Sequence, residues 1–178
     1  HLETNVVWLQ DTDWNQNGVI DREEDFLAKP GEFAESKFDP FADFDLDGIP
    51  DIFDDDPALA GTSVEGYPVL GSVEKASLDH PGAAMFVAIG DNATRERIYR
   101  RLRGHDFPVI VDPSAEVAPT AEIRHGCFIG PRAVVSVGAE LGKFVIIGSN
   151  AIVSHDASVG DFVNIGPGTV IASGGISV

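Results

Sequence analysis

VDPSAEVAPTAEIRHGCFIGPRAVVSVGAELGKFVIIGSNAIVSHDASVGDFVNIGPGTVI, residues 111–171, is the stretch that decides the fold. Every sixth residue in it is aliphatic: Val111, Val117, Ile123, Ile129, Val135, Leu141, Ile147, Val153, Val159, Ile165 and Ile171. Four residues after each, the side chain is usually small, as at Ala115, Ala121, Cys127, Ala133, Ala139, Ala151, Ala157 and Thr169. Glycine follows the aliphatic residue at 130, 142, 148, 160 and 166. This hexapeptide period predicts a parallel β-helix with three flat sides and about eighteen residues per coil. The aliphatic residue fills the interior, and the small one lets the chain turn the corner. Stacked coils bury a continuous core that no single coil could bury alone.

The period also predicts vertical neighbours. Residues eighteen apart lie over one another, roughly one strand spacing (~4.8 Å) apart. His125, Lys143 and Asp161 form one such ladder. His155 stacks between Val137 and Ser173 on a different corner. Cys127 falls in a small-residue slot, which points to packing and not to a nucleophile. As the one cysteine of the chain, it also excludes an internal disulfide framework.

Working back from the repeat, residues 57–110 look like the back half of an α/β unit. MFVAIG, residues 85–90, is a short apolar run ending in glycine, as a buried strand does. GDNATRERIYRRLRG follows, with Asn92 or Thr94 as a helix cap, Ile98, Tyr99 and Leu102 as the apolar positions, and Gly104 as the stop. Arg95, Arg97, Arg100, Arg101 and Arg103 read as a solvated helix face, with an anion or nucleotide contact as the alternative. PVIV at 108–111 reads as a second short strand.

Residues 1–56 hold seventeen Asp and Glu against three Lys and Arg, a charge of −14 out of −17 for the chain. So dense a negative block repels phosphates and argues against a nucleic-acid partner. No apolar run is long enough to span a bilayer. The block suits bound cations. DWNQNGVIDREE, residues 13–24, puts Asp13, Asn15, Asn17, Asp21 and Glu24 at the oxygen positions of an EF-hand loop. Val19 would offer its carbonyl, Gly18 makes the sharp turn and Ile20 is the apolar position. The flanks VVWLQ and EEDFLA are compatible with short helices. DFDLDGIPDIFD, residues 43–54, repeats the pattern with Asp43, Asp45, Asp47, Asp51 and Asp54, and Ile49 as the carbonyl donor. Its shorter terminal acid and Pro50 make it more similar to thrombospondin type 3 calcium repeats, with an extended turn after the loop.

FDDDPALAGTSVEGYPVLGSVE (53–74), FVAIGDNATRERIYRRL (86–102) and SHDASVGDFVNIGPG (154–168) together resemble the bacterial sugar acetyltransferases that modify sialic acids and nucleotide-linked amino-sugars. The resemblance covers roughly residues 53–178. It implies a small nucleotide-sugar-binding α/β unit joined to a left-handed parallel β-helix. It further implies a homotrimer or larger homo-oligomer, with acetyl-CoA between neighbouring β-helices. By that resemblance His155 is the general base, oriented by Asp156, and Asn164, Gly166 and Gly148 lie against acetyl-CoA. An imidazole suits the role because it titrates near neutral pH and a neighbouring carboxylate fixes its tautomer.

Three departures from the family pattern stand out. The calcium-loop segment replaces the family's first strand and glycine-rich loop. Asn164 stands where a histidine is frequent. The repeat ends after fewer than four coils, where further coils usually complete the cofactor groove. Asp54, Asp55 and Asp56 close the second calcium loop and also match the family's acidic cluster; calcium takes Asp54, and the other two stay open. Two functions follow as expectations: an acetyl-CoA-dependent acetyltransferase of a sugar or nucleotide-sugar, or a calcium-stabilised assembly protein that uses the β-helix as a scaffold. A zinc enzyme of the β-helix carbonic anhydrase kind would need three histidines together, and His125 and His155 fall on different corners. The calcium loops point outside the cell and the acetyltransferase resemblance points to the cytoplasm.

Overall fold

The computed structural model describes residues 6–10, 52–64, 67–81 and 83–174. These divide into two units, one ending at Phe107 and one beginning at Pro108. None of the described helices is long and apolar enough to cross a membrane.

The first unit is a five-stranded sheet with two helices. Its elements are β1 (Val6–Gln10), β2 (Ile52–Phe53), β3 (Ser63–Val64), β4 (Tyr67–Gly71), α1 (Val73–Asp79), β5 (Ala84–Ala88) and α2 (Asn92–Arg101). The strand order is β3-β4-β2-β1-β5. β2 and β4 are parallel, and β1 runs antiparallel to both β2 and β5. VVWLQ is thus a strand and not the helical flank that the sequence suggested. Its β-branched valines favour an extended backbone, and it fills the slot between β2 and β5, where Trp8 stands opposite Ile52 and Phe86.

Ser72 caps α1, its Oγ accepting from the Lys75 amide at 3.2 Å. Asp91, not Asn92 or Thr94, caps α2, accepting from the Thr94 amide at 2.8 Å. Asp is as good a cap as Asn, and the helix simply starts one residue earlier. Arg95 departs further from expectation. It is 1% exposed, so it lies inside and not on the solvated face. Its guanidinium donates to the carbonyls of Ile89 (2.6 Å) and Gly90 (3.1 Å) and to Asn92 Oδ1 (3.0 Å). It therefore ties the β5–α2 loop to the helix, and its burial is met by acceptors. Arg100 pairs instead with Glu96 one turn away.

The second unit is a left-handed parallel β-helix. Its strands are β6 (Ile110–Val111), β7 (Glu116–Val117), β8 (Glu122–Ile123), β9 (Phe128–Ile129), β10 (Val134–Val135), β11 (Glu140–Leu141), β12 (Ile146–Ile147), β13 (Ile152–Val153), β14 (Ser158–Val159), β15 (Asn164–Ile165) and β16 (Val170–Ile171). They stack as three parallel sheets: β6-β9-β12-β15 on the first face, β7-β10-β13-β16 on the second and β8-β11-β14 on the third. Residues eighteen apart are paired throughout, as in Val134 with Glu116 and with Ile152. The PVIV stretch therefore belongs here and not to the α/β unit, because Val111 is in phase with the repeat and pairs with Ile129.

The second residue of each strand points inward. Ile129, Val135, Leu141, Ile147, Val153, Val159, Ile165 and Ile171 form one core with Ala121, Cys127, Ala133, Ala139, Ala151 and Ala157. Cys127 is buried there and its thiol contacts the Gly142 carbonyl at 3.0 Å. The corners between the first and second faces and between the second and third are four-residue turns closed by a backbone bond, such as Ala133 N–H to Gly130 O (3.1 Å) and Ala157 N–H to Ser154 O (3.2 Å). From the third turn onward the third turn residue has positive φ: Gly126, Arg132, Gly138, Phe144, Asn150, Asp156, Phe162 and Gly168. This is the type II pattern, with proline welcome at the second position, as at Pro131 and Pro167. The small residue of the repeat is the fourth turn residue, where the chain re-enters the core.

Candidate active site

The corner between the second and third faces carries His155 and Asp156. They are the second and third residues of the turn Ser154–Ala157. That geometry gives Asp156 a φ of 55°, a conformation that aspartate tolerates better than most residues. His155 Nδ1 lies 3.0 Å from Asp156 Oδ2, and both side chains are largely exposed, at 67% and 76%. A carboxylate accepts hydrogen bonds, so in the neutral imidazole this contact favours the tautomer with the proton on Nδ1 and the lone pair on Nε2.

The neighbouring coils complete the corner. On the coil below, the Val137 carbonyl accepts from the Asp156 amide at 3.1 Å. A Cβ on Gly138 would lie 2.5 Å from Asp156 Oδ1, so the carboxylate occupies the room that the missing side chain leaves. On the coil above, Ser173 Oγ lies 3.1 Å from His155 Nε2. The stacking of Ser173 over His155 follows from the period; the hydrogen bond and the role of Gly138 do not. The absence of a side chain at 138 is the one sequence signal for the latter. A cavity of about 530 Å³ opens on the second face, with Val135, Ser136 and Val137 in its wall.

Asn164, Gly166 and Gly148 lie elsewhere. Asn164 begins β15 on the first face, and Gly148 and Gly166 follow β12 and β15 there. Within one chain they are not brought to the His155 corner. Gly148 has its own packing reason, since a Cβ would come 2.7 Å from the Pro167 nitrogen of the next coil. A Cβ on Gly166 would meet nothing closer than Thr169 Oγ1 at 3.7 Å.

The third corner holds the expected ladder. Asp161 Oδ1 accepts from the Lys143 amide at 2.9 Å, and Asp161 Oδ2 is 3.4 Å from Lys143 Nζ. Burial pushes the Asp161 carboxyl up, but the Lys143 amide and ammonium outweigh it and the net shift is downward. His125 is pushed down by burial and then by the Lys143 charge, which favours its neutral form.

In the first unit the acidic run divides. Asp54 is 2% exposed, its Oδ1 accepts from the Asp56 amide at 2.7 Å, and its Oδ2 has no hydrogen bond among the described residues. Asp55 accepts from the Val73 amide at the start of α1 (3.2 Å) and forms a two-pronged ion pair with Arg101. Burial raises the Asp55 pKa, and Arg101 and the Val73 amide more than reverse it. Asp56 accepts from the Ala58 amide at 2.9 Å. Asp55, left open by the sequence, thus anchors α1 and α2 to the end of β2. The other calcium-loop residues, Asp13, Asn15, Asn17, Val19, Asp21, Glu24, Asp43, Asp45, Asp47, Ile49 and Asp51, lie outside the described residues. Among the described residues no group of three or more His, Cys, Asp or Glu is arranged to hold a metal ion.

Known families match both units. Residues 138–173 match the bacterial transferase hexapeptide family, six repeats long. Residues 41–102 match the PglD N-terminal domain family. Among solved structures, the acetyltransferase domain of PglB from Neisseria gonorrhoeae FA1090 is 32% identical over 67% of this chain and 59% of its own, with a TM-score of 0.59. The chain thus spans about three fifths of that domain's length. The same domain in complex with acetyl coenzyme A is matched at 25% identity over 66% of this chain and 76% of its own, TM-score 0.45. PerB from Caulobacter crescentus, in complex with CoA and GDP-perosamine, is 22% identical over 71% of this chain and 80% of its own, TM-score 0.46. A comparison with curated proteins returned no match.

Proposed function

We propose that this chain is an acetyl-CoA-dependent acetyltransferase acting on the amine or hydroxyl of a sugar or nucleotide-sugar. The observation that carries the reading is the His155–Asp156 pair, 3.0 Å apart on an open corner of a hexapeptide β-helix. The likeness of this chain to an acetyltransferase domain supports it. The nucleotide-sugar acceptor rests on the resemblance of residues 53–102. His155 is the general base: as the acceptor nitrogen or oxygen attacks the thioester carbonyl, its proton passes to the imidazole. Asp156 stabilises the imidazolium. Collapse of the tetrahedral intermediate expels the CoA thiolate, which takes the proton back.

Asn164, Gly166 and Gly148 are assigned to acetyl-CoA. Since they lie away from His155 within one chain, a neighbouring copy must bring its first face to this corner, as in a homotrimer. The outward residues support such contact. On the second face Val134, Ile152 and Val170 form an apolar stripe above Glu116, with Ile152 38% and Val170 61% exposed, whereas the third face presents Glu122, Glu140 and Ser158. Apolar faces of this kind favour a protein partner.

The deciding experiment is thioester cleavage with acetyl-CoA and amino-sugar nucleotides. Turnover is expected, and His155→Ala should lower it about 100-fold or more. A folded oligomer without turnover would reject the enzyme.

A second reading, a calcium-stabilised assembly protein, is favoured by one observation. Asp54 Oδ2 is buried without a hydrogen bond among the described residues, a costly state that a cation would relieve. Asp54 would then bind calcium with Asp43, Asp45, Asp47, Asp51 and the Ile49 carbonyl. The loop of Asp13, Asn15, Asn17, Asp21, Glu24 and the Val19 carbonyl would hold a second ion. Calcium binding is compatible with either reading of the β-helix.

A further inference from the structure

A general base must present a lone pair to its substrate, and on His155 that lone pair is already engaged. Nδ1 faces Asp156, so Nε2 is the basic atom, and Ser173 Oγ sits 3.1 Å from it. With Nδ1 protonated, the hydrogen between Ser173 and Nε2 belongs to the serine, which donates. The hydroxyl is left with free lone pairs on an exposed corner.

Among the described residues, no backbone turn at this position of the repeat requires a hydroxyl. The equivalent position is Pro119, Val137 and His155 on the three coils below. These corners are closed by backbone bonds such as Ala139 N–H to Ser136 O, 3.1 Å, which need no side chain. The period of eighteen residues holds Ser173 over His155, so the pair is set by coil stacking.

We propose that Ser173 is a catalytic proton relay between the acceptor and His155. The inference rests on the acetyltransferase reading. As the acceptor forms its bond to the acetyl carbon, its N–H or O–H bond breaks and the proton goes to Ser173 Oγ. The Ser173 O–H bond breaks in the same step, and that proton goes to His155 Nε2. The imidazolium is held by Asp156. Breakdown of the intermediate cleaves the carbon–sulfur bond, and the protons return along the same path to the CoA thiolate. Ser173 ends as it began, never acylated, and no further reactant is needed.

The test uses the full chain with acetyl-CoA and an amino-sugar nucleotide that it turns over. Ser173→Ala should lower kcat about tenfold to 100-fold with KM for both substrates unchanged, and Ser173→Thr should restore most of it. In mixed light and heavy water, a relay moves two protons together, so the wild-type kcat should fall along a curve. In Ser173→Ala the dependence should be linear. A wild-type kcat in Ser173→Ala, or a linear dependence in the wild type, overturns the relay and leaves the acetyltransferase reading intact. So does an acetyl group found on Ser173 when acceptor is withheld, since the serine would then be a nucleophile. A folded wild type that turns over no acceptor sinks the acetyltransferase reading and the relay with it.

Discussion

Gly138 is the residue on which the geometry of the candidate site depends most. It has a φ of +69°, and a Cβ there would lie 2.5 Å from Asp156 Oδ1. Gly138→Ala should therefore have two separable effects. The left-handed backbone costs a side-chain-bearing residue about 1–2 kcal/mol, visible as a lower thermal midpoint. The methyl group should also push the carboxylate off His155 and cut acetyl transfer about tenfold or more, since a misoriented base loses much of its effect. A variant that loses stability but keeps full turnover would show that the Asp156 contact is dispensable. His155 and Asp156 could be picked out from the sequence because a short motif carries them. Gly138 could not, because its role exists only across the eighteen-residue step between coils.

At the scale of elements, the corner between the third and first faces is unusual. Phe144 and Phe162 occupy the left-handed turn position with φ of 55° and 58°. Phe144 is fully buried and stacks on Phe162 with centroids 5.3 Å apart and planes 8° from parallel. Gly126 makes room beneath, since a Cβ there would lie 2.7 Å from the Phe144 ring. Phe144→Ala should cost about 3–5 kcal/mol in urea unfolding, the range for truncating a buried aromatic residue. A loss under about 1 kcal/mol would mean that the coils close over the gap. The turn was legible in the hexapeptide period, and this aromatic column was not. The hexapeptide pattern describes which residues face inward along a flat side, and a corner side chain has no fixed direction until the coils stack. Arg95 teaches the same lesson in α2. Its helical spacing resembles that of the exposed arginines, and its burial is met by the carbonyls of the β5–α2 loop and by Asn92 Oδ1.

At the scale of the whole molecule, calcium binding by the acidic segment would be linked to stability in a way that unfolding can measure. If calcium binds its loops, free calcium at about 100 times Kd should stabilise the folded state by about 2.7 kcal/mol. A chelator should lower the thermal midpoint by the corresponding amount, and Asp54→Asn should weaken the response. An unchanged midpoint with and without chelator would reject the calcium sites. The sequence by itself determined the β-helix, its register and its vertical neighbours. A period of six fixes which side chains face inward regardless of what surrounds them. It also marked His155 and Asp156 as a pair worth testing. Tertiary structure decided the rest: that VVWLQ joins the sheet as a strand, that Asp55 anchors two helices through Val73 and Arg101, that Arg95 is buried, and that Ser173 reaches Nε2 while Gly138 admits the carboxylate. Apart from the Arg95 contacts, which lie within six residues, each of these depends on contacts between residues distant along the chain, and neither local propensity nor spacing carries the distance between two side chains that only folding brings together.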